Sequence, residues 1–304
     1  MIIFESVTKQ FGDESFALKD ISFNVGSGEM VIITGPSGSG KTTLMRLLIK
    51  EYIPSSGEII FDQVPLSQVK NSQVHHHRRK IGVVYQDYKL LPELTVWENI
   101  ALALYIINKS EDEIEHRVTD LLKLVHLVDK AYLFPNQLSG GEAQRVSIAR
   151  ALATGPSVIF ADEPTGNLDP ETSLSIAQLL KKINDLGTTI LLATHDTGVL
   201  KVLNKERHLE LRKGELISDS QPSTHHKAEL SHPSTTVAAE EEKLATPEPE
   251  KPVTKNKRSF GLKLPKVSIP FGKSKSAPET ETKESHTDIK VETLEDAWTQ
   301  SAQP

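Results

Sequence analysis

The segment GPSGSGKTT, residues 35–43, constrains the fold of this chain more than any other stretch. The apolar run MVIIT precedes it and the helical pattern TTLMRLLI overlaps its end, which predicts a strand, a glycine-rich loop and a helix in succession. Its spacing matches G-x-x-x-x-G-K-[ST], in which backbone N–H groups and a helix N-terminus surround a phosphate. The pattern therefore predicts a phosphate-binding loop at the carboxyl end of a buried strand.

The residues of this loop are candidate ligands for ATP. Lys41 is expected to pair with the β- and γ-phosphates, and Thr42 to bind Mg²⁺ through its hydroxyl oxygen. The ATP-binding candidates of the loop are Gly35, Pro36, Ser37, Gly38, Ser39, Gly40, Lys41, Thr42 and Thr43. The alternative is an ordinary glycine-rich turn, but such a turn has no need of lysine and threonine at these two positions.

Four polar side chains follow predicted strands directly. The apolar run SVIFADEP ends in Asp162, a candidate Mg²⁺ ligand, and Glu163, a candidate catalytic base that polarises the attacking water. His195 in LLATHD is a candidate contact for the γ-phosphate, and Gln86 in IGVVYQ a candidate for both water and Mg²⁺. Alternatives remain open, namely a helix cap for the two acids and a surface residue at a strand end for Gln86.

A second glycine-rich stretch, LSGGE at residues 138–142, precedes the helical pattern AQRVSIARALA. Ser139 and Glu142 have the spacing of a capping box. A capping box does not account for Gly140 and Gly141, since glycine costs a helix about 0.5 to 1 kcal/mol relative to alanine. We interpret the two glycines as allowing a ligand close to the helix N-terminus, which predicts a second anion site.

The motifs GPSGSGKT, Gln86, LSGGE, FADEP, GNLD and His195, in this order, resemble those of the ATPase subunits of the ABC superfamily, over about residues 1–218. The resemblance implies a homodimer in which each ATP lies between the phosphate loop of one copy and the signature of the other. The signature residues are Ser139, Gly140, Gly141 and Glu142. Asp169 in GNLD would couple the two sites. Phe11 stands where the family has an aromatic ring, more often tyrosine, that stacks on adenine.

Longer stretches, such as RRKIGVVYQDYKLLPELTVWENIALAL, are similar to the cell-division ATPases of this superfamily. This similarity implies an FtsX-like integral membrane partner that controls cell-wall hydrolases, docking at residues 86–105, and a peripheral position at the cytoplasmic face of the plasma membrane. The alternative is the ATPase subunit of an exporter or of a lipoprotein or lipid extraction system. A soluble ABC ATPase acting on DNA or ribosomes is disfavoured, because a second ATPase domain and a long coiled-coil insertion are both missing.

Alternation of strand and helix patterns predicts an α/β fold with a mainly parallel core sheet covered by helices. The resemblance adds an N-terminal antiparallel β subdomain and a helical signature subdomain. We assign residues 1–220 to this ATPase domain, and interpret HHH at residues 75–77 as a solvated stretch. Between Val96 and Val128, apolar residues recur at helical spacing, which predicts a mostly helical insert.

Composition changes after residue 220. Residues 221–304 are rich in Pro, Ser, Thr, Lys and Glu, which predicts a disordered tail. Its basic segment at 251–275 is interleaved with apolar residues, which suits an anionic membrane surface or a division protein, although a solvated linker is equally compatible. The chain has no cysteine, which excludes a disulfide scaffold, and its net charge of -6 argues against general nucleic-acid binding. No apolar run approaches the roughly 20 residues that a membrane-spanning helix needs.

Overall fold

The computed structural model describes residues 1–12 and 15–220. The strands are β1 (Ile2–Phe11), β2 (Ser15–Val25), β3 (Met30–Thr34), β4 (Ser56–Phe61), β5 (Val64–Pro65), β6 (Ile81–Val84), β7 (Val158–Asp162), β8 (Thr189–Ala193), β9 (Arg207–Arg212) and β10 (Glu215–Asp219). The α-helices are α1 (Lys41–Leu48), α2 (Val74–Arg78), α3 (Val96–Ile106), α4 (Glu111–Leu124), α5 (Gly140–Leu152), α6 (Pro170–Asp185) and α7 (Thr197–Val202). Within these ranges no helix has the length and apolarity to cross a bilayer. The predictions made for residues 221–304 lie outside the described residues.

The larger sheet has the strand order β10-β9-β3-β8-β7-β6. Strands β3, β6, β7, β8 and β9 run parallel, and β10 pairs antiparallel with β9. Every residue of β7 and β8 is buried, as expected for strands covered on both faces. The predicted mainly parallel core sheet is confirmed, and the carboxyl ends of its central strands meet at one edge.

The smaller sheet, of order β2-β1-β4-β5, is antiparallel, which confirms the predicted N-terminal subdomain. Its buried side chains, among them Val7 and Ile21, pack with those of β3 and α1 in one apolar cluster. Strand β3, which leads into the phosphate loop, is therefore packed against both the smaller sheet and α1.

Helices α3, α4 and α5 pack together around buried Ile100, Val118 and Val146 and form the predicted helical subdomain. The predicted helical insert is two helices, and α4 begins with a capping box at Ser110. Val128, which we included among the apolar helical positions, lies instead in a 3₁₀ turn after α4 and is 52% exposed.

The histidine triplet forms most of α2 rather than an irregular solvated stretch. His75 and His76 are exposed, but His77 is buried, with Nε2 2.7 Å from the carbonyl oxygen of Leu48 and its ring edge-on to Phe61. Burial lowers the pKa of His77. The interpretation as a solvated stretch was wrong for this residue, because the turn of a helix directs His77 onto the end of α1.

Candidate functional site

The phosphate loop opens on a cavity of about 540 Å³ at the carboxyl edge of the core sheet. Its lining residues are Ala17, Ser37, Gly38, Ser39, Gly40, Lys41, Thr42, Thr43, Gln86, Glu163 and His195. Residues predicted from four separate segments are thus brought together. Ala17 was not predicted; it comes from β2, and an alanine in a strand carries no sequence signal for a binding site.

Two glycines give the loop its shape. Gly40 precedes α1 with φ of 109°, and a Cβ there would lie 2.7 Å from the Ala17 carbonyl oxygen. A Cβ on Gly35 would lie 2.2 Å from the carbonyl oxygen of Leu211, so no other residue fits at that position. Helix α1 begins without a side-chain cap or an acidic residue in its first turn, which leaves its N-terminal N–H groups suited to an anion.

Glu163 lies between a lysine and a histidine. Its Oε1 is 3.1 Å from Nζ of buried Lys41, and its Oε2 is 2.8 Å from Nδ1 of His195. Lys41 Nζ also donates hydrogen bonds to the carbonyl oxygens of Gly35 at 2.7 Å and Pro36 at 3.2 Å. Glu163 is a non-glycine residue with φ of 50°, a conformation that the surrounding structure has to hold in place. A carboxylate so placed can accept a proton beside a bound phosphate.

Asp162 is buried at the end of β7, one residue before Glu163. Burial raises the pKa of its carboxyl, and a hydrogen bond with the Thr42 side chain opposes that rise. Oδ1 of Asp162 is buried without a hydrogen-bond partner among the described residues. A buried carboxylate oxygen next to a threonine hydroxyl fits Mg²⁺, which proteins commonly hold through one or two carboxylates together with the phosphates of the substrate.

Gln86 lines the cavity from the loop that follows β6. Its Nε2 donates to Oδ1 of Asn167 at 3.4 Å, and Nδ2 of Asn167 donates to the Gln86 carbonyl oxygen at 3.3 Å. A Cβ on Gly166 would lie 2.7 Å from Gln86 Nε2. Neither Asn167 nor Gly166 was predicted as a neighbour of Gln86, although both belong to the GNLD motif that was quoted for Asp169.

The signature forms the predicted capping box. The N–H of Ser139 donates to Oε2 of Glu142 at 2.9 Å, and the N–H of Glu142 donates to Oγ of Ser139 at 3.4 Å. Lys130 pairs with Glu142, and this hydrogen bond, followed by that from Ser139, lowers the pKa of Glu142. None of the four signature residues lines the phosphate cavity of the same copy.

The two signature glycines have close neighbours within the chain. A Cβ on Gly140 would lie 2.8 Å from the hydroxyl of Tyr88, and a Cβ on Gly141 would lie 2.4 Å from Cγ2 of Thr172. Packing within the chain therefore disfavours larger residues at both positions. This corrects our interpretation of the sequence, in which ligand approach was the only reason for these glycines.

Asp169 and Phe11 lie outside the lining of the cavity. Oδ1 of Asp169 caps α6 by accepting a hydrogen bond from the Thr172 N–H at 3.0 Å, and hydrogen bonds from Thr172 lower the pKa of Asp169. Phe11 is 43% exposed at the end of β1, and its ring lies edge-on to Tyr52 with centroids 5.1 Å apart.

A glycine-rich loop between a parallel strand and a helix, a buried lysine and two acids at the end of another strand of the same sheet together define a nucleotide-binding domain of the P-loop class. The family model described as ABC transporter matches residues 18–166. The chain belongs to this family, and it is an ATP hydrolase of the ABC type.

Two curated relatives match this chain over nearly their whole length. The chain is 46% identical to the cell division ATP-binding protein FtsE of Mycobacterium tuberculosis, over 73% of this chain and 96% of that protein. It is 44% identical to FtsE of Bacillus subtilis, over 72% of this chain and 96% of that protein. A solved dimer of the ATP-binding cassette MJ0796, in a post-hydrolysis state bound to ADP and Pi, superposes with a TM-score of 0.65 at 40% identity, over 72% of this chain and 97% of that one.

Proposed function

We propose that this chain is the ATPase subunit of an FtsEX-like complex in bacterial cell division. ATP-driven closure of a homodimer would signal through an FtsX-like integral membrane protein to cell-wall hydrolases. The observation that carries the proposal is the identity of 44% and 46% to two FtsE proteins over 96% of their lengths. The protein would then act as a peripheral subunit at the cytoplasmic face of the plasma membrane.

In this proposal the residues of the phosphate cavity have different roles. The loop N–H groups and Lys41 hold the phosphates, and Thr42, Gln86 and Asp162 hold Mg²⁺, which when bound stabilises charge on the transferred phosphoryl group. Glu163 orients the attacking water and accepts its proton, and His195 contacts the γ-phosphate. The unpartnered oxygen of Asp162 and the hydrogen bond between Glu163 and His195 support these roles.

The second copy would complete the site. The N–H of Glu142 is capped by Ser139, so the N–H groups of Gly140 and Gly141 would offer the second anion site at the start of α5. The signature does not line the cavity of its own copy. In the proposed dimer, Ser139, Gly140, Gly141 and Glu142 contact the ATP that is held by the other copy. Asp169 at the start of α6 would couple the two sites, and Phe11 would stack on adenine.

A groove of about 420 Å³ on the face formed by α2, β6 and α3 is the proposed docking site of the membrane partner. We call it the basic groove, because Arg78, Arg79 and Arg150 line it together with His75, and no acidic residue lines it within the described part of the chain. Ile106, which is 61% exposed, adds apolar surface to this lining. An amphipathic helix of the partner that combines apolar side chains with carboxylates fits this surface. Of the residues that line it, only Ala103 falls within the 86–105 range expected from the sequence, so this proposal moves the docking site away from that range.

The test is co-purification from membranes with the full-length Glu163→Gln variant. We expect this variant to bind ATP normally while turnover falls by about 10² to 10⁴, the usual contribution of a general base. The stabilised ATP-bound dimer should retain its membrane partner. Glu115→Gln, an exposed position on α4, is the matched control and should hydrolyse ATP at the wild-type rate.

The captured protein decides the function. A membrane protein with one large external domain that binds a cell-wall hydrolase would support the division role. Capture of a permease or of a lipoprotein carrier would instead support the second candidate function, an exporter or extraction system, which the ABC transporter description of the family favours. Normal ATP turnover by Glu163→Gln would contradict the catalytic role of this glutamate.

A further inference from the structure

Arg150 joins the last turn of α5 to the loop that follows Gln86. Its Nη1 donates a hydrogen bond to the carbonyl oxygen of Lys89 at 2.6 Å, and its Nη2 donates to that of Tyr88 at 2.8 Å. One guanidinium thus binds two successive carbonyl groups, with the forked geometry that distinguishes arginine from lysine. Neither carbonyl belongs to a helix or strand. These two hydrogen bonds therefore attach the irregular loop after Gln86 to α5.

The two residues that Arg150 binds have an unusual backbone. Tyr88 has φ of 57° and Lys89 has φ of 50°, although neither is glycine. Side chains disfavour this left-handed region, and residues stay in it only where surrounding contacts hold them. Arg150 supplies such contacts at both positions, two and three residues after Gln86. The path of the chain away from Gln86 therefore depends on this arginine.

The beginning of α5 contacts the same loop. The hydroxyl of Tyr88 packs so closely on Gly140 that a Cβ there would lie 2.8 Å away. Tyr88 is consequently held at two points on α5, through its side chain near the signature and through its carbonyl group near the C-terminus. On its other side the loop is held by the hydrogen bond from Gln86 to Asn167. Gln86 thus lies between the core and a segment that is fixed to the signature helix.

We propose that Arg150 is a positioning residue for hydrolysis, because it makes the Gln86 loop move together with the signature helix α5. This inference rests on the proposed function in one respect, the assignment of Gln86 to Mg²⁺. It assigns to Arg150 no contact with nucleotide, metal or water.

The test uses the full-length Arg150→Gln variant and the Mg²⁺ dependence of its ATPase activity. We expect kcat to fall by about ten- to a hundredfold, as for a catalytic group displaced by up to about 1 Å. The Mg²⁺ concentration for half-maximal activity should rise, whereas binding of a fluorescent ATP analogue in EDTA should stay at the wild-type level. Arg150→Lys, which retains the charge and can reach one carbonyl group, should recover part of both changes.

Arg145→Gln is the matched control for lost packing. Arg145 is also on α5 and also bonds two groups, the carbonyl oxygen of Val125 at 3.2 Å and Oγ of Ser175 at 2.7 Å, but it does not contact the Gln86 loop. A purely structural role would give both glutamine variants a lower melting temperature and the same Mg²⁺ dependence as the wild type. That result would overturn the proposal.

Gln86→Ala separates this inference from the proposed function. If Gln86→Ala raises the Mg²⁺ requirement and Arg150→Gln does not, the positioning role of Arg150 is wrong and the assignment of Gln86 stands. If Gln86→Ala leaves the Mg²⁺ requirement unchanged, the assignment of Gln86 is wrong, and the role of Arg150 falls with it. A raised requirement in both variants, with a normal one in Arg145→Gln, supports the proposal.

Discussion

Replacing Gly141 with alanine is expected to destabilise the fold, because the new methyl group meets α6. Its Cβ would lie 2.4 Å from Cγ2 of Thr172, about 1 Å short of ordinary van der Waals contact. The Thr172 side chain cannot easily turn away, since it is β-branched and its hydrogen bonds lower the pKa of Asp169. Overpacking costs about 1 to 3 kcal/mol, and removal of a helical glycine offsets about 0.5 to 1 kcal/mol, so the mid-range values leave a net loss of about 1 kcal/mol.

The double variant Gly141→Ala with Thr172→Ser is the control. Serine retains the hydroxyl group that interacts with Asp169 and removes the methyl group that clashes. Thermal unfolding followed by circular dichroism should therefore show a melting temperature lowered in the single variant, by about 2 to 4 °C per kcal/mol for a domain of this size, and restored in the double variant. A single variant as stable as the wild type would refute the packing estimate.

ATPase activity of the same double variant tests the other role of this glycine. If a ligand approaches the first turn of α5, the methyl group at position 141 still obstructs it after the clash with Thr172 is removed. We expect activity to remain at least about tenfold below the wild type, because a misplacement of 1 Å can cost about a hundredfold. A double variant with normal stability and full activity would refute ligand approach at Gly141.

Two further predictions concern charged residues. Arg207→Ala should cost about 3 to 5 kcal/mol in urea unfolding, because it removes a buried guanidinium that pairs with both Glu29 and Asp219, whereas exposed Arg212→Ala should cost about 0 to 1 kcal/mol. Equal losses would contradict this. A hydrogen bond from Lys109 lowers the pKa of Glu113 to about 2, so the stabilisation from Glu113 is complete above pH 4.5 and disappears as the pH falls towards 2. Glu113→Gln should therefore destabilise the protein at neutral pH and have no effect near pH 2, and a loss that is constant with pH would show that the charge of Glu113 is irrelevant.

The site residues that were predicted from sequence are those whose positions follow from the residues next to them in the chain. Lys41 and Thr42 follow a strand and begin a helix, and Asp162 ends an apolar run, so each position could be derived from its neighbours in the chain. The same holds for the capping box of Ser139 and Glu142. The parallel order of the core strands followed from the alternation of strand and helix patterns.

The features that sequence analysis missed depend on contacts between distant segments. Strand β9 begins with Arg207, which resembles a surface residue in the sequence but is buried through ion pairs with Glu29 and Asp219. His77 is buried by α1, nearly thirty residues earlier in the chain. Nothing local to Gly141 indicates Thr172. Such contacts have no signature in a single sequence, because the chemical partner is fixed only once the strands and helices have been arranged.

Helix α1 has contacts at its far end that relate the basic groove to the phosphate loop. Nε2 of His77 donates to the carbonyl oxygen of Leu48, and Arg78, which also lines the groove, donates to those of Ile49 and Lys50. The helix has eight residues and is about 12 Å long, and its first residue is Lys41. If the membrane partner binds the basic groove as proposed, a force on Arg78 would act at one end of this helix, and Lys41, the proposed phosphate ligand, is at the other end. The path from the proposed docking site to the nucleotide would then be no longer than this helix.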